Sequence, residues 1–280
     1  MKPNEPSRTA LIPARQRAAH QLLDHGSILC DPFAMKILGE DEREVLQFAN
    51  QHPLASLGRL ATTARSRIAE DALSGAVERG IRQAVILGAG LDTFALRNPH
   101  RALELRIYEV DHPATQAWKR ERLAEAQIAV PPWLIFVPVD FEREDVREKL
   151  AAAGLQQNLP AFFTWLGVVP YLTQEAIGRT LDTMSAMRGS EVVFDYMEPP
   201  EASSEEVRQI VTERTEELKK IDERWVSRFE PAGMAAMLRS HGFCAVEDIS
   251  FEEMASRFGR GIQGLASGHV GVHVVHARQS

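Results

Sequence analysis

Short apolar runs alternate with amphipathic stretches through the middle of the chain. The runs predict strands at 84–88, 105–111, 134–140, 160–166 and 191–197. The stretches between them predict helices at about 92–97, 113–128, 142–153 and 173–187. Such alternation is typical of an α/β protein with a parallel, doubly wound sheet and right-handed crossovers.

Both ends of the chain depart from this pattern. Residues 8–80 carry alanine and leucine at helical spacing, with a break at Asp31-Pro32. This predicts a helical cap over 1–80, followed by a sheet domain over 81–280. After the alternating region the pattern predicts helices at 201–225 and 231–241, then strands at 243–249 and 269–278. The total is seven strands, the last two joined by a short, mainly non-helical connection.

The first predicted strand runs into the turn Gly88-Ala89-Gly90, and Asp92 follows closely. Glycine lets the backbone bend sharply and approach a ligand. A dinucleotide site would have a third glycine where Thr93-Phe94 stand, so binding of a pyrophosphate is disfavoured. Asp92 suits a ligand with a cationic or hydroxyl-rich end. A simple tight turn between two elements is the alternative.

Acidic residues also end the next two predicted strands. Glu109 and Asp111 lie about 20 residues after the glycine turn, where a ribose-binding acid sits in a mononucleotide-binding unit, and Asp140 ends the following strand. Parallel strands place such acids along one edge of the sheet. Helix capping is the alternative role for both Asp111 and Asp140.

Several segments together resemble the leucine carboxyl methyltransferase family, and more narrowly its bacterial S-adenosylmethionine-dependent O-methyltransferases, which include carboxyl methyltransferases that tailor polyketides. The resemblance covers nearly the whole chain and is carried by residues 7–10, 17–18, 31–34, 64–67, 87–97, 108–113 and 137–141. It implies a class I methyltransferase sheet, Rossmann-like and seven-stranded with an antiparallel last strand. The strand count agrees with that sheet.

The resemblance also implies roles for individual residues. Gly88, Ala89 and Gly90 would run beneath S-adenosylmethionine, and Asp111 would accept hydrogen bonds from the ribose hydroxyls. Glu109 is the alternative ribose acceptor, because strand ends predicted from sequence slip by about two residues.

The adenine and the methionine carboxylate have candidates of their own in the resemblance. Asp140 would bind the exocyclic amine of adenine while Phe141 borders the base. Arg65 matches the family arginine that binds the methionine carboxylate, a bidentate task that suits a guanidinium. Arg67 is its competitor.

Residues 162–173 resemble the family's strand-four signature, which lies beneath the transferable methyl group. Many relatives carry a glutamate directly before the glycine, whereas this chain has Leu166 before Gly167. Leucine cannot hold the amino group of the cofactor, so Asp92 or backbone carbonyls would have to serve.

A hydroxyl acceptor would need a general base, whereas a carboxylate acceptor would not. Tyr171 is the first candidate because it follows strand four, and Tyr196, His20 and His25 are further ones. A structural role is the alternative for each. The histidines of the last strand, His269, His273 and His276, do not make a convincing metal site.

The composition is that of a globular protein without a nucleic-acid footprint. The chain has 280 residues, 44% hydrophobic and 25% charged, and a net charge of −7. Cys30 and Cys244 are predicted to be buried thiols of a reducing compartment. No apolar leader and no apolar run of about 18 residues is present, so a cytoplasmic protein that does not act at a membrane is expected. Apolar positions on the 201–225 helix could pack inward or across a homodimer.

These observations predict an S-adenosylmethionine-dependent O-methyltransferase. The acceptor would be a carboxylate or hydroxyl of a small molecule such as a secondary metabolite, with the cap as its lid. The alternatives are an NAD-dependent oxidoreductase, an inactive methyltransferase fold that still binds the cofactor, and a methyltransferase for a protein C-terminal carboxylate.

Overall fold

The computed structural model describes residues 8–52, 54–141, 143–220, 224–268 and 270–279. Its centre is one sheet in the order β3-β2-β1-β4-β5-β7-β6, in which β7 runs antiparallel to both neighbours and the other pairs are parallel. This confirms the predicted class I methyltransferase sheet. The strands are Gln83–Leu87 (β1), Arg106–Asp111 (β2), Leu134–Pro138 (β3), Phe162–Trp165 (β4), Glu191–Met197 (β5), Ala245–Ser250 (β6) and Val272–Arg278 (β7).

Helices precede the sheet and surround it. The α-helices are Leu11–Asp24 (α1), Ala34–Leu38 (α2), Glu42–Ala49 (α3), Ala55–Glu78 (α4), Pro113–Glu125 (α5), Val146–Ala152 (α6), Gln174–Ser185 (α7), Glu205–Lys220 (α8), Pro231–Ser240 (α9) and Phe251–Phe258 (α10). The first four form the region of helical patterning predicted before β1. The division of the chain into two domains at residue 80 stays a prediction.

Alternating side chains of the strands pack into two cores, one on each face of the sheet. On one face Ile86 of β1 and Val193 of β5 pack with α4 and α10. On the other face Val85 and Leu87 pack with α6, α7 and α9. A third cluster joins α1, α2 and α3 to Leu91, just after the glycine turn. The first helices therefore cover the carboxyl end of β1.

The predicted helix at 92–97 is wrong. Residues 88–105, all of which the structure describes, contain only two short 3-10 turns, Phe94–Leu96 and Arg101–Leu103. Phe94 and Ala95 are buried in the same core as α4, which already covers this face of the sheet. A crossover helix would compete with α4 for that place.

The connection between β6 and β7 is also more helical than predicted, because it contains α10. Ser250 accepts a hydrogen bond from the Glu253 N–H, and the Glu253 carboxylate accepts one from the Ser250 N–H. This capping box starts the helix, and burial of Phe251 and Met254 holds it against the sheet.

Two predicted helices begin several residues later than expected. The helix predicted at 142–153 begins at Val146, because Asp145 caps it. The helix predicted at 201–225 is α8, which spans Glu205–Lys220, and residues 224–230 are irregular.

Cys30 and Cys244 are both exposed, contrary to the prediction of buried thiols. Among the described residues no helix combines the length and the apolar character that a membrane span requires.

A buried ionic network ties α1 to α4 and to the segment after α10. Asp24 contacts the His20 Nδ1 at 2.8 Å and the Arg59 Nε at 2.7 Å, and it accepts a hydrogen bond of 2.7 Å from the Gln263 N–H. Burial alone would raise the pKa of Asp24, but the bonds from His20 and Arg59 hold it below its ordinary value.

We expect Arg59→Met to destabilise the protein by about 3–5 kcal/mol, because it leaves the buried Asp24 carboxylate without its cation. The matched control is Arg67→Met on the same helix, which breaks the exposed Arg67–Asp71 pair and should cost below about 1 kcal/mol. Urea unfolding of both variants measures the difference. Equal losses would contradict a structural role for the Asp24 network.

Candidate functional site

A large cavity opens at the carboxyl ends of β1, β2 and β4. Its volume is about 870 Å³, near the upper end of the range of roughly 300–1,000 Å³ for ligand pockets. This edge of an open α/β sheet is where ligands bind. Of the predicted site residues, the cavity wall contains Arg65, Gly88, Ala89, Gly90, Asp92, Asp111, Phe141, Leu166, Gly167 and Tyr171.

The glycine turn forms the floor of the cavity. Gly88 and Gly90 have φ angles of +66° and +46°, which side-chain-bearing residues rarely adopt. A Cβ on Gly88 would lie 2.4 Å from the Cγ2 atom of Val168. The turn therefore requires glycine for its backbone conformation and for its close contact with Val168.

The backbone donors of this turn are all used within the protein. The N–H groups of Gly88 and Ala89 donate to the carbonyl of Val110, and the Gly90 N–H donates to Asp111 Oδ2 at 2.5 Å. Dinucleotide sites instead direct such donors and a helix N-terminus at the pyrophosphate. With no α-helix directly after the turn, the geometry disfavours the NAD alternative.

The two candidate ribose acids lie in different environments. Asp111 is on the cavity wall and also accepts the N–H of His112, which is the N-cap of α5 in place of Asp111. Burial raises its pKa, although the two N–H donors oppose this. Glu109 is off the wall and forms a buried pair with Lys119 at 2.6 Å, and burial raises its pKa to about 7. The geometry therefore favours Asp111 over Glu109.

The buried carboxylate of Asp31 holds the loop that follows the glycine turn. It accepts a hydrogen bond of 2.6 Å from Thr93 Oγ1, and the Nε atoms of Arg17 and Arg97 lie 3.5 Å and 3.7 Å from its oxygens. Arg17 also donates to the carbonyl of Leu91 at 2.7 Å. These bonds connect the first helices to the cavity floor.

Arg65 reaches the cavity from α4, and Asp195 of β5 lies beside it. Arg65 Nη1 donates to Asp195 Oδ2 at 2.7 Å, and Asp195 Oδ1 accepts the Gly167 N–H at 2.6 Å. Arg67 instead pairs with Asp71 at the surface and does not line the cavity. Asp195 was not among the predicted site residues, although a charged residue within an apolar strand indicates a buried partner.

Of the two residues predicted to contact adenine, only one lines the cavity. The Phe141 side chain, 47% exposed, lies on the wall, whereas Asp140 does not line it. Asp140 Oδ2 lies 3.7 Å from the Nε of Arg143, and α6 is capped by Asp145 rather than by Asp140. A contact of Asp140 with adenine stays a prediction.

Three of the four proposed general bases lie off the cavity wall. Tyr196 is buried and donates to Asp248 at 2.6 Å, and His20 is buried within the Asp24 network. His25 is exposed at the end of α1. Tyr171, in the turn after β4, does line the cavity. The other three have the environments of the structural alternative, because sequence position alone does not reveal where a side chain points.

His52 and His112 also line the cavity. Neither was among the predicted site residues. The Nδ1 atom of each accepts a backbone hydrogen bond, from the N–H of Leu54 at 3.1 Å and of Ala114 at 3.2 Å. A neutral ring whose Nδ1 accepts a hydrogen bond carries its proton on Nε2, so the Nε2 of each ring is a donor rather than a base in this arrangement.

Another part of the cavity wall is mainly apolar. The residues of this part belong to α4 and its N-cap, to α8, to the irregular segment 224–226 and to the start of β7 with the residues before it. The apolar residues of this side are Leu54, Leu57, Ala61, Val207, Val211, Trp225, Val226, Val270 and Val272. This side can hold an apolar ligand next to the polar turn.

Comparison with known proteins now decides the family. The model of the leucine carboxyl methyltransferase family matches residues 10–185, which include the glycine turn and the first four strands. The chain belongs to this family. Membership confirms the predicted S-adenosylmethionine-dependent methyltransferase at the level of methyl donor and reaction type.

Relatives of known sequence agree. A Bacillus subtilis (strain 168) protein named "Putative S-adenosyl-L-methionine-dependent methyltransferase YktD" is 30% identical over 302 residues, covering 99% of both chains. A Mycolicibacterium paratuberculosis protein named "Putative S-adenosyl-L-methionine-dependent methyltransferase" is 34% identical over 158 residues, covering 56% of this chain and 51% of its own.

Solved structures show the same fold. A DUF574 family protein from Streptomyces avermitilis has a TM-score of 0.60 at 16% identity and covers 99% of both chains. An O-methyltransferase family protein from Burkholderia thailandensis has a TM-score of 0.50 at 13% identity, covering 95% of this chain and 71% of its own.

We expect Gly88→Ala to lower the affinity for S-adenosylhomocysteine at least about tenfold. The new Cβ would strain the backbone, which has a positive φ, and would collide with Val168. Gly80→Ala is the matched control, since Gly80 also has a positive φ but a Cβ there has no atom within 4 Å. Titration calorimetry measures both. Val168→Ala added to Gly88→Ala should recover part of the affinity, and loss of affinity in Gly80→Ala would contradict a local effect.

Proposed function

We propose that this chain transfers the methyl group of S-adenosylmethionine to an oxygen of a small, largely apolar acceptor, as an O-methyltransferase. The observation that carries the proposal is that one cavity is lined by the glycine turn, by Asp111 and by a set of apolar residues. Its volume gives room for a cofactor and an acceptor side by side.

The residues of the cavity fit S-adenosylmethionine. Gly88 and Gly90 hold the tight turn with positive φ that lines the cavity, and Asp111 keeps acceptor capacity for ribose hydroxyls beyond its two backbone bonds. Arg65 offers a guanidinium whose buried Nε has no hydrogen-bond partner among the described residues. Bound there, the cofactor supplies a methyl group activated by a sulfonium leaving group.

The chain's own contribution to methyl transfer is mainly positioning and exclusion of water. Fixing the acceptor oxygen near the methyl carbon, in line with the bond that breaks, removes much of the entropic barrier. The segment 224–226 lines the cavity and is bonded to the turn after β4, where the Val226 N–H donates to the carbonyl of Pro170 at 2.6 Å. Trp225 and Val226 therefore serve as a lid for an apolar acceptor.

Between the two oxygen acceptors, a carboxylate is favoured. A hydroxyl acceptor needs a base, but the Nδ1 atoms of His52 and His112 are occupied by backbone N–H donors, which leaves each neutral ring a donor at Nε2. A carboxylate attacks without losing a proton, and Nε2–H donors can orient it. Arg224, also on the wall, adds a positive charge on the lid side.

The proposal predicts that methyl-labelled S-adenosylmethionine gives labelled products with aromatic or aliphatic carboxylic acids. Mild alkali should release the label from such a product as methanol, because methyl esters hydrolyse and phenyl methyl ethers do not. Phenols of the same shape and a peptide with a free C-terminal carboxylate serve as the comparison acceptors.

Alkali-stable label on phenols would favour a hydroxyl acceptor, and label on the peptide alone would favour a protein substrate. Binding of S-adenosylhomocysteine without transfer to any oxygen acceptor would overturn the O-methyltransferase proposal. A cytoplasmic location and a homodimer stay predictions.

A further inference from the structure

Asp195 is a buried acid in the middle of β5 whose side chain reaches the cavity wall. The residue is 4% exposed and lines the cavity together with Arg65 and Gly167. Burying a carboxylate is costly unless it is paired and hydrogen-bonded. Its two bonds, to Arg65 and to the Gly167 N–H, satisfy this requirement and fix its orientation.

The strand register places Asp195 beside Leu166, the position at which many relatives carry a glutamate. Trp165 of β4 pairs with Phe194 of β5, so the next residues of these parallel strands, Leu166 and Asp195, are neighbours. Leu166 cannot hold a cation. A carboxylate from the adjacent strand therefore reaches the end of β4.

Asp195 keeps capacity for a ligand. A carboxylate offers about four lone-pair sites, and the bonds to Arg65 and Gly167 occupy one on each oxygen. The neighbouring Arg65 has a buried Nε that finds no acceptor in the described part of the chain. The cavity wall thus presents a cation and an anion 2.7 Å apart, each with unused hydrogen-bonding capacity.

We propose that Asp195 accepts hydrogen bonds from the α-ammonium group of the cofactor, beside Arg65, to which the family resemblance already assigns the α-carboxylate. The Arg65–Asp195 pair therefore offers one charge of each sign to a ligand group that also carries one of each. This assignment rests on the proposed function. It makes Asp195, rather than Asp92, the substitute for an acid at position 166.

The environment of Asp92 agrees with this choice. Asp92 Oδ1 accepts the N–H of Phe94 at 2.7 Å and so shapes the loop after the glycine turn. Asp195 is instead bonded to Arg65, the cation that would hold the carboxylate of the same ligand. The α-ammonium and α-carboxylate groups of the cofactor are attached to the same carbon, so they can contact Asp195 and Arg65 together.

The test compares two ligands and two proteins by titration calorimetry. The ligands are S-adenosylhomocysteine and its deamino analogue, in which hydrogen replaces the α-ammonium group. The proteins are the wild type and Asp195→Asn, which keeps the size of the side chain and an oxygen for the Gly167 N–H. Thermal unfolding of both proteins checks that the variant is folded.

We expect the wild type to prefer S-adenosylhomocysteine over the deamino analogue by roughly tenfold to a hundredfold, the worth of a hydrogen bond to a charged group. Asp195→Asn should lose most of this preference and bind the deamino analogue as the wild type does.

Three results would overturn the assignment. An equal loss of affinity for both ligands in Asp195→Asn would mean that Asp195 only positions Arg65. Loss of the preference in Asp92→Asn instead would move the ammonium site to Asp92. Wild-type protein that binds neither S-adenosylhomocysteine nor S-adenosylmethionine would overturn the proposed function as well, which distinguishes the two failures.

Discussion

The site depends on one buried carboxylate, that of Asp31. Asp31 is 1% exposed and lies between Arg17 of α1, Thr93 and Arg97. A buried carboxylate with several charged and hydrogen-bonding partners is expensive to disturb. It therefore fixes the first helices against the loop after β1. The cavity exists because these helices are held over the carboxyl ends of the strands instead of packing elsewhere.

The same arrangement explains why the crossover from β1 to β2 has no α-helix. In the usual doubly wound unit, a helix after the glycine turn covers this face of the sheet and points its N-terminus at a phosphate. Here α4 precedes β1 and shares a core with Phe94 and Ala95. The turn donors bond to Val110 and Asp111 instead. A site with no helix N-terminus at the glycine turn suits a cofactor without phosphate groups.

Much of the sheet and half of the site could be predicted from the sequence, because both depend on local patterns. The turn at Gly88 and the acid at Asp111 have a fixed spacing within one βαβ unit, and the strands show as apolar runs. The crossover 3-10 turns could not be predicted, because the preference of residues 92–97 for a helix is overridden by packing against α4. The capping box at Ser250 was a local signal that the sequence analysis overlooked.

The remaining site residues depend on tertiary neighbours. Asp195 reaches the wall because β5 lies next to β4, which the alternation of elements alone does not establish. His52 and His112 lie in a loop and at a helix start, so only the fold reveals that they meet at one cavity. Conversely, Tyr196 lies next to Asp195 in the chain but points to the opposite core, since successive residues of a strand alternate faces.

A crystal structure of the protein with S-adenosylhomocysteine would test the central claim most directly. The account predicts the ligand above the glycine turn, with ribose hydroxyls on Asp111, the α-carboxylate on Arg65 and the α-ammonium on Asp195. The thioether sulfur should face the apolar wall formed by α4, α8 and residues 224–226. A ligand bound elsewhere, or one whose ribose contacts an acid other than Asp111, would contradict the account.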